Sequence, residues 1–242
     1  MSKLIAVCGS PASGKTTTAL KIAEEIYYHT NLPVLFISPD TNIPSLAYLF
    51  PRSKENELFS LGEALDKTTI TCEDILKQTI YTKNMRNFGF LGLKLGENKY
   101  SFPKPTGQKI REFFYSCEQI APIVIVDCTS YFDDLISEMA IRESDVNIKL
   151  ISPDLRCMGY YSAYEEKYKA FEDKCVKVIT LMDNDLFLPI EEVKTHFKSI
   201  DYVIPYSRAL KQQAITGTLT EKISDIAYKS TCLNIAKRVL DV

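Results

Sequence analysis

The chain has 242 residues, of which 45% are hydrophobic and 25% are charged, and these ordinary globular proportions exclude wholesale disorder. Its 29 basic and 31 acidic side chains leave a formal net charge of −2, so the chain lacks the strongly basic character typical of nucleic-acid-binding proteins. No apolar run approaches the roughly 20 residues of a membrane-spanning helix, and the first residues do not form a secretory signal peptide. We therefore predict a cytoplasmic protein without a transmembrane segment, for which direct DNA binding is disfavoured.

The cysteines are scattered along the chain and never form a CxxC pair. Without an export signal, disulfides are not expected, because the cytoplasm keeps thiols reduced. The two histidines, His29 and His196, lie far from any pair of cysteines, so a zinc site is not expected either. We predict reduced and mostly buried thiols at Cys8, Cys72, Cys117, Cys128, Cys157, Cys175 and Cys232.

Short apolar runs alternate with amphipathic segments along the chain. The pattern predicts strands at residues 4–8, 34–37, 123–126, 147–151, 176–181 and 202–204. It predicts helices at residues 15–28, 106–118, 190–197 and 208–215, another that ends near residue 164, and a C-terminal helix with a core-facing apolar stripe. Ser60 and Thr71 each precede an acid by three residues, which predicts two short helices that begin there. Residues 83–107, which contain several glycines and prolines, are predicted to be irregular or to form short strands.

This alternation of strands and helices favours a mostly parallel sheet covered by helices on both faces. The β-branched run Ile123-Val124-Ile125-Val126 is typical of a strand buried on both faces. The chain shows no internal repeat and no linker. We therefore predict an α/β fold, a three-layer sandwich with a mostly parallel central sheet, and one domain that spans residues 1–242.

The strongest motif is Gly9-Ser10-Pro11-Ala12-Ser13-Gly14-Lys15-Thr16, which matches GxxxxGK[ST] at every fixed position. A predicted strand precedes it and a predicted helix follows it, which is the context of a phosphate-binding P-loop. Glycines let such a loop approach a polyphosphate closely enough for backbone N–H groups to point inward, and the helix N-terminus adds positive potential. Lys15 would contact the β- and γ-phosphates, and Thr16 would coordinate Mg²⁺. The predicted nucleotide site comprises these residues and Thr17.

Two acids follow predicted strands at the edge where a nucleotide would lie. Asp127 ends the run at residues 123–127, and there a carboxylate can hold a magnesium-bound water. Asp40 follows the second strand region and could either orient the attacking water or cap the next turn. From the residues alone, these two roles for Asp40 stay open.

Four stretches of the chain together resemble MinD/ParA-type ATPases of the SIMIBI class of P-loop proteins, and in particular the CpaE-like branch linked to pilus assembly. The P-loop is the first stretch. The second is the segment that ends at Asp40, which resembles the DxD segment of the family. Residues 60–65, later in the chain, resemble the helix that follows the DxD segment. The strand that ends at Asp127 resembles the Walker B strand. The fourth stretch, residues 203–207 with 214–219, resembles the loop beside the adenine and the small helix after it.

The resemblance implies roles for single residues. Asp40 matches the second acid of the DxD pair and would align the attacking water, so Lys15 and Asp40 are the predicted catalytic residues. Asp127 matches the acid that contacts magnesium through water, so Thr16 and Asp127 are the predicted metal-site residues. The implied cofactors are ATP and Mg²⁺. The adenine would be contacted by Asn184, Pro205 and Tyr206.

The chain departs from the family pattern at two positions. Many members carry a lysine directly after the first P-loop glycine, which reaches the phosphate of a dimer partner, and here that position is Ser10. The first acid of the DxD pair is replaced by Ser38. Losing a charge-stabilising group of this kind typically costs roughly 10² to 10³ in rate. We therefore expect hydrolysis to be slow or partner-stimulated.

The resulting hypothesis is an Mg–ATP-dependent switch that assembles or positions a cellular machine, such as a pilus or secretion system, a division site or a partition complex. Its expected partners are ATP or ADP, a second copy of the chain in a nucleotide-dependent homodimer, and proteins of a machine at the membrane. The alternatives are a nucleotide-binding scaffold with negligible hydrolysis and a small-molecule P-loop kinase of the nucleoside or nucleotide type.

Two further segments are predicted to have structural roles. The tyrosines at residues 160–168 lie among Glu165 and Glu166 rather than among basic residues, which favours a packing or partner surface over a platform for bases. Residues 99–109 contain lysines and aromatic side chains and are predicted to form an exposed loop.

Overall fold

The computed structural model describes residues 2–54, 57–185 and 187–241. Its eight strands form one sheet in the order β3-β4-β2-β5-β1-β6-β7-β8. Strand β3 pairs antiparallel with β4, whereas the other neighbouring strands pair in parallel. The strands are β1 (Lys3–Gly9), β2 (Val34–Ser38), β3 (Ile80–Thr82), β4 (Met85–Gly92), β5 (Ile123–Asp127), β6 (Val146–Ile151), β7 (Cys175–Thr180) and β8 (Tyr202–Ile204).

Helices cover both faces of this sheet. The first face packs against α1 (Lys15–Thr30), α2 (Leu46–Leu49), α10 (Arg208–Thr216) and α11 (Ile226–Leu240). The second face packs against α3 (Leu61–Leu65), α4 (Cys72–Lys77), α5 (Gly107–Ile120), α6 (Leu135–Glu143), α7 (Leu155–Ala163), α8 (Glu165–Lys169) and α9 (Ile190–Phe197). The predicted α/β fold, with a mostly parallel sheet between two helical layers, is confirmed.

The two cores arise because successive side chains of a strand point to opposite faces. In β1, Ile5 and Val7 belong to the core under α1 and α11, whereas Ala6 and Cys8 belong to the core on the other side. The central strands are buried on both faces, which explains why they appear in the sequence as continuous apolar runs. The parallel strands place their C-terminal ends, and the loops that follow them, along one edge of the sheet.

Most predicted elements lie within a few residues of their observed positions, but several differ. The region predicted to be irregular or to form short strands contains β4, an eight-residue strand whose Gly89 and Gly92 lie against neighbouring side chains. The short helices α2 and α6 were not predicted. The predicted helix that ends near Tyr164 is divided into α7 and α8.

The two predicted helix starts are present, although their caps differ. Thr71 and Asp74 form a reciprocal capping box at the start of α4. At α3, the Ser60 hydroxyl accepts from the backbone N–H of Gly62 and donates to the Glu97 carboxylate at 2.7 Å. The Ser60 backbone N–H donates to Gln78 Oε1 at 3.1 Å, so the partner of this N–H comes from outside α3.

The tyrosines of α7 and α8 pack inward. Tyr161 and Tyr168 lie against the buried ammonium group of Lys149, at 4.5 and 5.0 Å from their ring centroids. Lys149 is also 3.7 Å from the Glu172 carboxylate, so its burial is offset by aromatic faces and an opposite charge. The packing role predicted for this segment is confirmed. Tyr100, in the segment predicted as a loop, is highly exposed, as expected.

Most of the cysteines are buried, as the sequence predicts. All seven thiols are free, and five of them are buried. In the part of the chain that the structure describes, every helix is too short or too polar to cross a bilayer.

A buried ion pair lies within α1, and its lysine also hydrogen-bonds to the segment before α11. The Lys21 ammonium contacts the Glu24 carboxylate at 2.9 Å and donates to the backbone carbonyls of Leu219 and Glu221 at 2.6 and 2.7 Å. Burial raises the pKa of Glu24 from 4.5 to about 7, although Lys21 opposes this shift. The Glu24 side chain is therefore held in an environment that favours its neutral form.

We predict that this site makes stability depend on pH. A carboxyl whose folded-state pKa is raised contributes stability that is fully present below pH 4.5 and is lost as the pH rises through about 7. The free energy of unfolding of the wild type should therefore fall by an amount on the order of 1 to 3 kcal/mol across this pH window, and we expect this fall to be absent in Glu24→Gln. Urea unfolding at pH 4.5, 6 and 7.5 would measure the free energy of unfolding of both proteins. If this free energy changed equally with pH in the wild type and in Glu24→Gln, the prediction would be contradicted.

Candidate functional site

The loop between β1 and α1 has the backbone of a phosphate-binding loop. A side chain at Gly9 would bring its Cβ within 2.6 Å of the Ser13 hydroxyl, so only glycine fits there. Ala12 and Gly14 both have positive φ angles, 61° and 76°, which turn the loop back on itself before α1 begins. The Thr180 hydroxyl, at the end of β7, donates to the Ser13 carbonyl at 2.9 Å and ties the loop to the sheet.

Lys15 is half-buried and points into this loop. Its ammonium group donates to the Ser10 carbonyl at 2.9 Å and to the Ser130 hydroxyl at 2.6 Å. The Ser130 hydroxyl in turn donates to the Gly9 carbonyl at 2.9 Å. Burial lowers the pKa of Lys15, and the negative charge of Asp127 opposes that shift. The Lys15 ammonium group is therefore held over the loop by two oxygen atoms, and the oxygen atoms of a phosphate group can replace them as its partners.

Thr16, Ser38 and Asp127 come together from three elements. The Thr16 hydroxyl donates to Asp127 Oδ2 at 2.6 Å, and the Ser38 hydroxyl donates to the same oxygen at 3.1 Å. Burial raises the pKa of Asp127 from 3.8 to about 6, although the Thr16 hydrogen bond, the Lys15 charge and the Ser38 hydrogen bond oppose the shift. Ser38, at the position where the resemblance would place the first DxD acid, is thus a hydrogen-bond donor to Asp127.

Magnesium fits this cluster. Asp127 Oδ1 is buried and accepts no hydrogen bond from any residue that the structure describes, so a carboxylate lone pair beside Thr16 is available to a metal-bound water. Among residues 2–54, 57–185 and 187–241, no three His, Cys, Asp or Glu side chains converge on a possible metal position. Magnesium would therefore need phosphate oxygens to complete its coordination, which is its usual mode of binding.

Asp40 follows β2 at the same edge of the sheet. Its Oδ1 accepts from the backbone N–H groups of Asn42 and Ile43 at 2.8 and 3.0 Å, so this carboxylate caps the turn. Its negative charge also contributes to the pKa of Lys15, which lies within electrostatic reach. Capping the turn and orienting the attacking water are therefore compatible roles for Asp40, because both backbone N–H groups donate to the same carboxylate oxygen.

Ser10 occupies the position where the family lysine was expected. Its side chain is buried, and its hydroxyl lies 3.5 Å from that of Ser152, in the loop after β6. The side chain at this position thus faces the sheet.

A cavity of about 230 Å³ lies on the other side of the P-loop. Thr17 and Tyr206, two residues of the predicted nucleotide site, are among its lining residues. Asn184 is exposed and its amide donates to Asp185; neither it nor Pro205 is among the described lining residues. The lining consists of Gly14, Thr17, Thr18, Thr180, Leu181, Met182, Ile204, Tyr206, Ser207, Leu210, Lys211, Ala214 and Tyr228.

Two residues of the site were missed in the sequence. Ser130 lies three residues after Asp127 in a loop at the same edge, and that position was the signal that could have identified it. The Tyr48 hydroxyl donates to the Thr16 hydroxyl at 3.3 Å. Tyr48 belongs to α2, a four-residue helix with no distinguishing pattern.

Comparison with solved structures identifies the class of fold. A ParA family ATPase from Chlorobium tepidum is 10% identical, with a TM-score of 0.78 over 98% of this chain and 99% of that one. The septum site-determining protein MinD from Pyrococcus horikoshii, complexed with Mg-ADP, is 16% identical, with a TM-score of 0.74 over 99% and 96%.

A chain of the MinC:MinD cell division protein complex from Aquifex aeolicus is 13% identical, with a TM-score of 0.69 over 98% of this chain and 96% of that one. No protein-family model matches the sequence, and no curated protein matches it either. The similarity to these solved structures shows that the chain has the fold of the MinD and ParA ATPases.

Proposed function

We propose that this protein is an ATPase of the MinD/ParA type, which binds Mg–ATP and acts as a nucleotide-dependent switch. The observation that carries the proposal is the P-loop with Lys15 beside the Thr16–Asp127 pair, whose buried Oδ1 is available to a magnesium-bound water. The fold shared with MinD in its Mg-ADP complex supports it.

Each residue of the site has a distinct task in this proposal. Lys15 exchanges its contacts with Ser10 and Ser130 for the β- and γ-phosphates. Thr16 would coordinate Mg²⁺ and Asp127 would hold a metal-bound water, and the metal would neutralise phosphate charge. Asp40 aligns water for attack on the γ-phosphate, and its turn fixes where the carboxylate lies.

The base-side cavity supports a purine ligand. Tyr206 offers an aromatic face, and the apolar side chain of Met182 lines the same cavity beside Gly14. We propose adenine as the base on the sequence resemblance. In this proposal Tyr206 contacts the base, whereas Asn184 and Pro205 need a movement of their loops to reach it.

The phosphate-side edge also carries a surface for a partner. Ile43, Leu95, Tyr100 and Tyr131, in loops after three different strands, and Leu155, the first residue of α7, are between 53% and 83% exposed. Exposed apolar side chains at one edge of a protein are a common feature of interaction sites. We propose that this edge binds a second copy of the chain or a partner protein when ATP is bound, because the loops after β2 and β5 would sense the γ-phosphate. The known complex of MinD with MinC is a parallel for a protein partner.

Within the class, we propose the CpaE-like branch on the sequence resemblance alone. The cargo is then an assembly machine at the membrane, such as a pilus or secretion system, with the protein in the cytoplasm or held at the membrane through that partner.

Asp40→Asn tests the ATPase directly. We expect phosphate release to fall roughly 10²- to 10⁴-fold, because a positioned acid or base contributes this much, whereas ATP binding is retained. Asparagine can also accept the backbone N–H groups of Asn42 and Ile43, so the turn persists. Single-turnover phosphate release would measure the loss, and light scattering of the ATP-loaded variant would report whether a dimer accumulates.

The matched control is Asp133→Asn, an exposed acid in a neighbouring loop, which should release phosphate at the wild-type rate. Unchanged release by Asp40→Asn would contradict the role of Asp40. ATP binding without phosphate release by the wild type, with and without candidate partners, would instead favour the scaffold that Ser10 and Ser38 suggest.

A further inference from the structure

Tyr48 brings a hydroxyl group to the metal-binding threonine. Its O–H donates to Thr16 Oγ1 at 3.3 Å, while the Thr16 hydroxyl donates its own proton to Asp127 Oδ2 at 2.6 Å. The hydrogen of Tyr48 thus faces a lone pair of the oxygen that would coordinate Mg²⁺. The tyrosine is half-buried, so water has limited access to this contact.

The backbone around Tyr48 fixes this contact. Leu46 and Leu49, on either side of it in α2, are 1% exposed and belong to the core under α1. Phe50 packs edge-to-face on Phe90 of β4, with ring centroids 4.9 Å apart. A Cβ on Gly92 would come within 2.7 Å of the Ser45 hydroxyl and 3.1 Å of Leu46. The hydroxyl therefore reaches Thr16 from a docked segment and not from a loose loop.

We propose that Tyr48 is a positioning residue that competes with Mg²⁺ for Thr16 and thereby couples metal binding to the segment at residues 39–50. This inference rests on the proposed function of the site. When Thr16 Oγ1 coordinates the cation, its oxygen becomes a poor acceptor, and the positive end of the Tyr48 O–H would point toward a positive ion. The hydrogen bond must break, which loosens α2 from the metal site. The same segment begins with the turn of Asp40, so metal binding is transmitted to the acid that aligns water.

The test compares nucleotide affinity with and without metal. Isothermal titration calorimetry gives the dissociation constant for ADP in EDTA and in MgCl₂, and their ratio is the metal coupling factor. In Tyr48→Phe we expect this factor to rise about 2- to 10-fold, the usual net contribution of one hydrogen bond, while ADP affinity in EDTA stays at the wild-type value. A purely structural role would alter both affinities together and leave the factor unchanged.

Tyr202→Phe is the matched control, because the Tyr202 hydroxyl also donates a hydrogen bond, to the Asn234 carbonyl at 3.5 Å, but this residue begins β8 and is not among the residues that line the base-side cavity. Its coupling factor should equal that of the wild type. An unchanged or smaller factor in Tyr48→Phe would overturn the inference. Failure of the wild type to bind ADP at all would overturn the proposed function instead.

Amide hydrogen exchange of the wild-type protein tests the same inference without a substitution. The amides of residues 46–50 should exchange faster with ADP and Mg²⁺ than with ADP and EDTA. Equal exchange in the two conditions would contradict the coupling of metal binding to α2.

Discussion

Replacing Lys15 by alanine should lower the affinity for Mg–ATP by roughly 10- to 150-fold, because a hydrogen bond to a charged group contributes about 1.5 to 3 kcal/mol. The ammonium group is the cation that the structure places over the loop, with the Ser10 carbonyl and the Ser130 hydroxyl as its present partners. Hydrolysis should fall by a further roughly 10² to 10³, because the lost charge also stabilises the transition state. Calorimetric titration and phosphate release measure the two effects.

Two variants make this result specific. Lys83→Ala removes an exposed lysine in the turn between β3 and β4 and should leave nucleotide affinity unchanged. Lys15→Arg keeps the charge but not the compact shape of the ammonium group, so it should recover only part of the affinity. If Lys15→Ala bound Mg–ATP as tightly as the wild type, the nucleotide would have to lie elsewhere.

Replacing Asp127 by asparagine should uncouple nucleotide binding from magnesium. A group that holds a metal-bound water typically changes metal affinity by about 10- to 100-fold, and asparagine lacks the negative charge at the buried Oδ1 position. We expect the affinity for ADP in EDTA to stay near the wild-type value, whereas the gain on adding MgCl₂ is largely lost. Calorimetric titrations in the two buffers measure this difference.

The same variant has a second, opposite effect on stability. Because burial raises the folded-state pKa of Asp127 from 3.8 to about 6, the stability that its neutral form contributes is lost as the pH rises through this window. The uncharged asparagine avoids that loss, so at pH 7 the ligand-free variant should be at least as stable as the wild type. A variant that is both unstable and insensitive to magnesium would indicate damage to the fold instead. Asp134→Asn, at the cap of α6, is a matched control that should keep its magnesium dependence.

The parts of this molecule that the sequence predicts well are those set by local pattern. The alternation in β1 and β5 and the P-loop spacing depend on neighbours in the chain, and the fold and the position of Lys15 follow from them. Strand β4 was not predicted as one strand because Gly89 and Gly92 resemble loop residues. Close packing requires glycine at both positions: Gly89 lies against Thr79, just before the paired strand β3, and Gly92 lies against Ser45, which is far away in the chain.

The surroundings of the site depended on contacts that local pattern does not contain. Ser130 and Tyr48 reach the P-loop only because the strands that precede them lie beside β1 or near it in the sheet. Ser38 appeared in the sequence only as a lost carboxylate, whereas its hydroxyl donates to Asp127. The buried side chain of Ser10 likewise depends on Ser152, which lies far away in the sequence.

The most direct test of the proposed Mg–ATP site is a calorimetric titration of the purified wild-type protein with a non-hydrolysable ATP analogue, in MgCl₂ and in EDTA. We expect one site per chain, with affinity about tenfold or more higher in MgCl₂, and weaker binding of the guanine counterpart. A protein that binds no nucleotide in either buffer, or binds it equally well with and without magnesium, would contradict the assignment of the Lys15, Thr16 and Asp127 cluster as an Mg–ATP site.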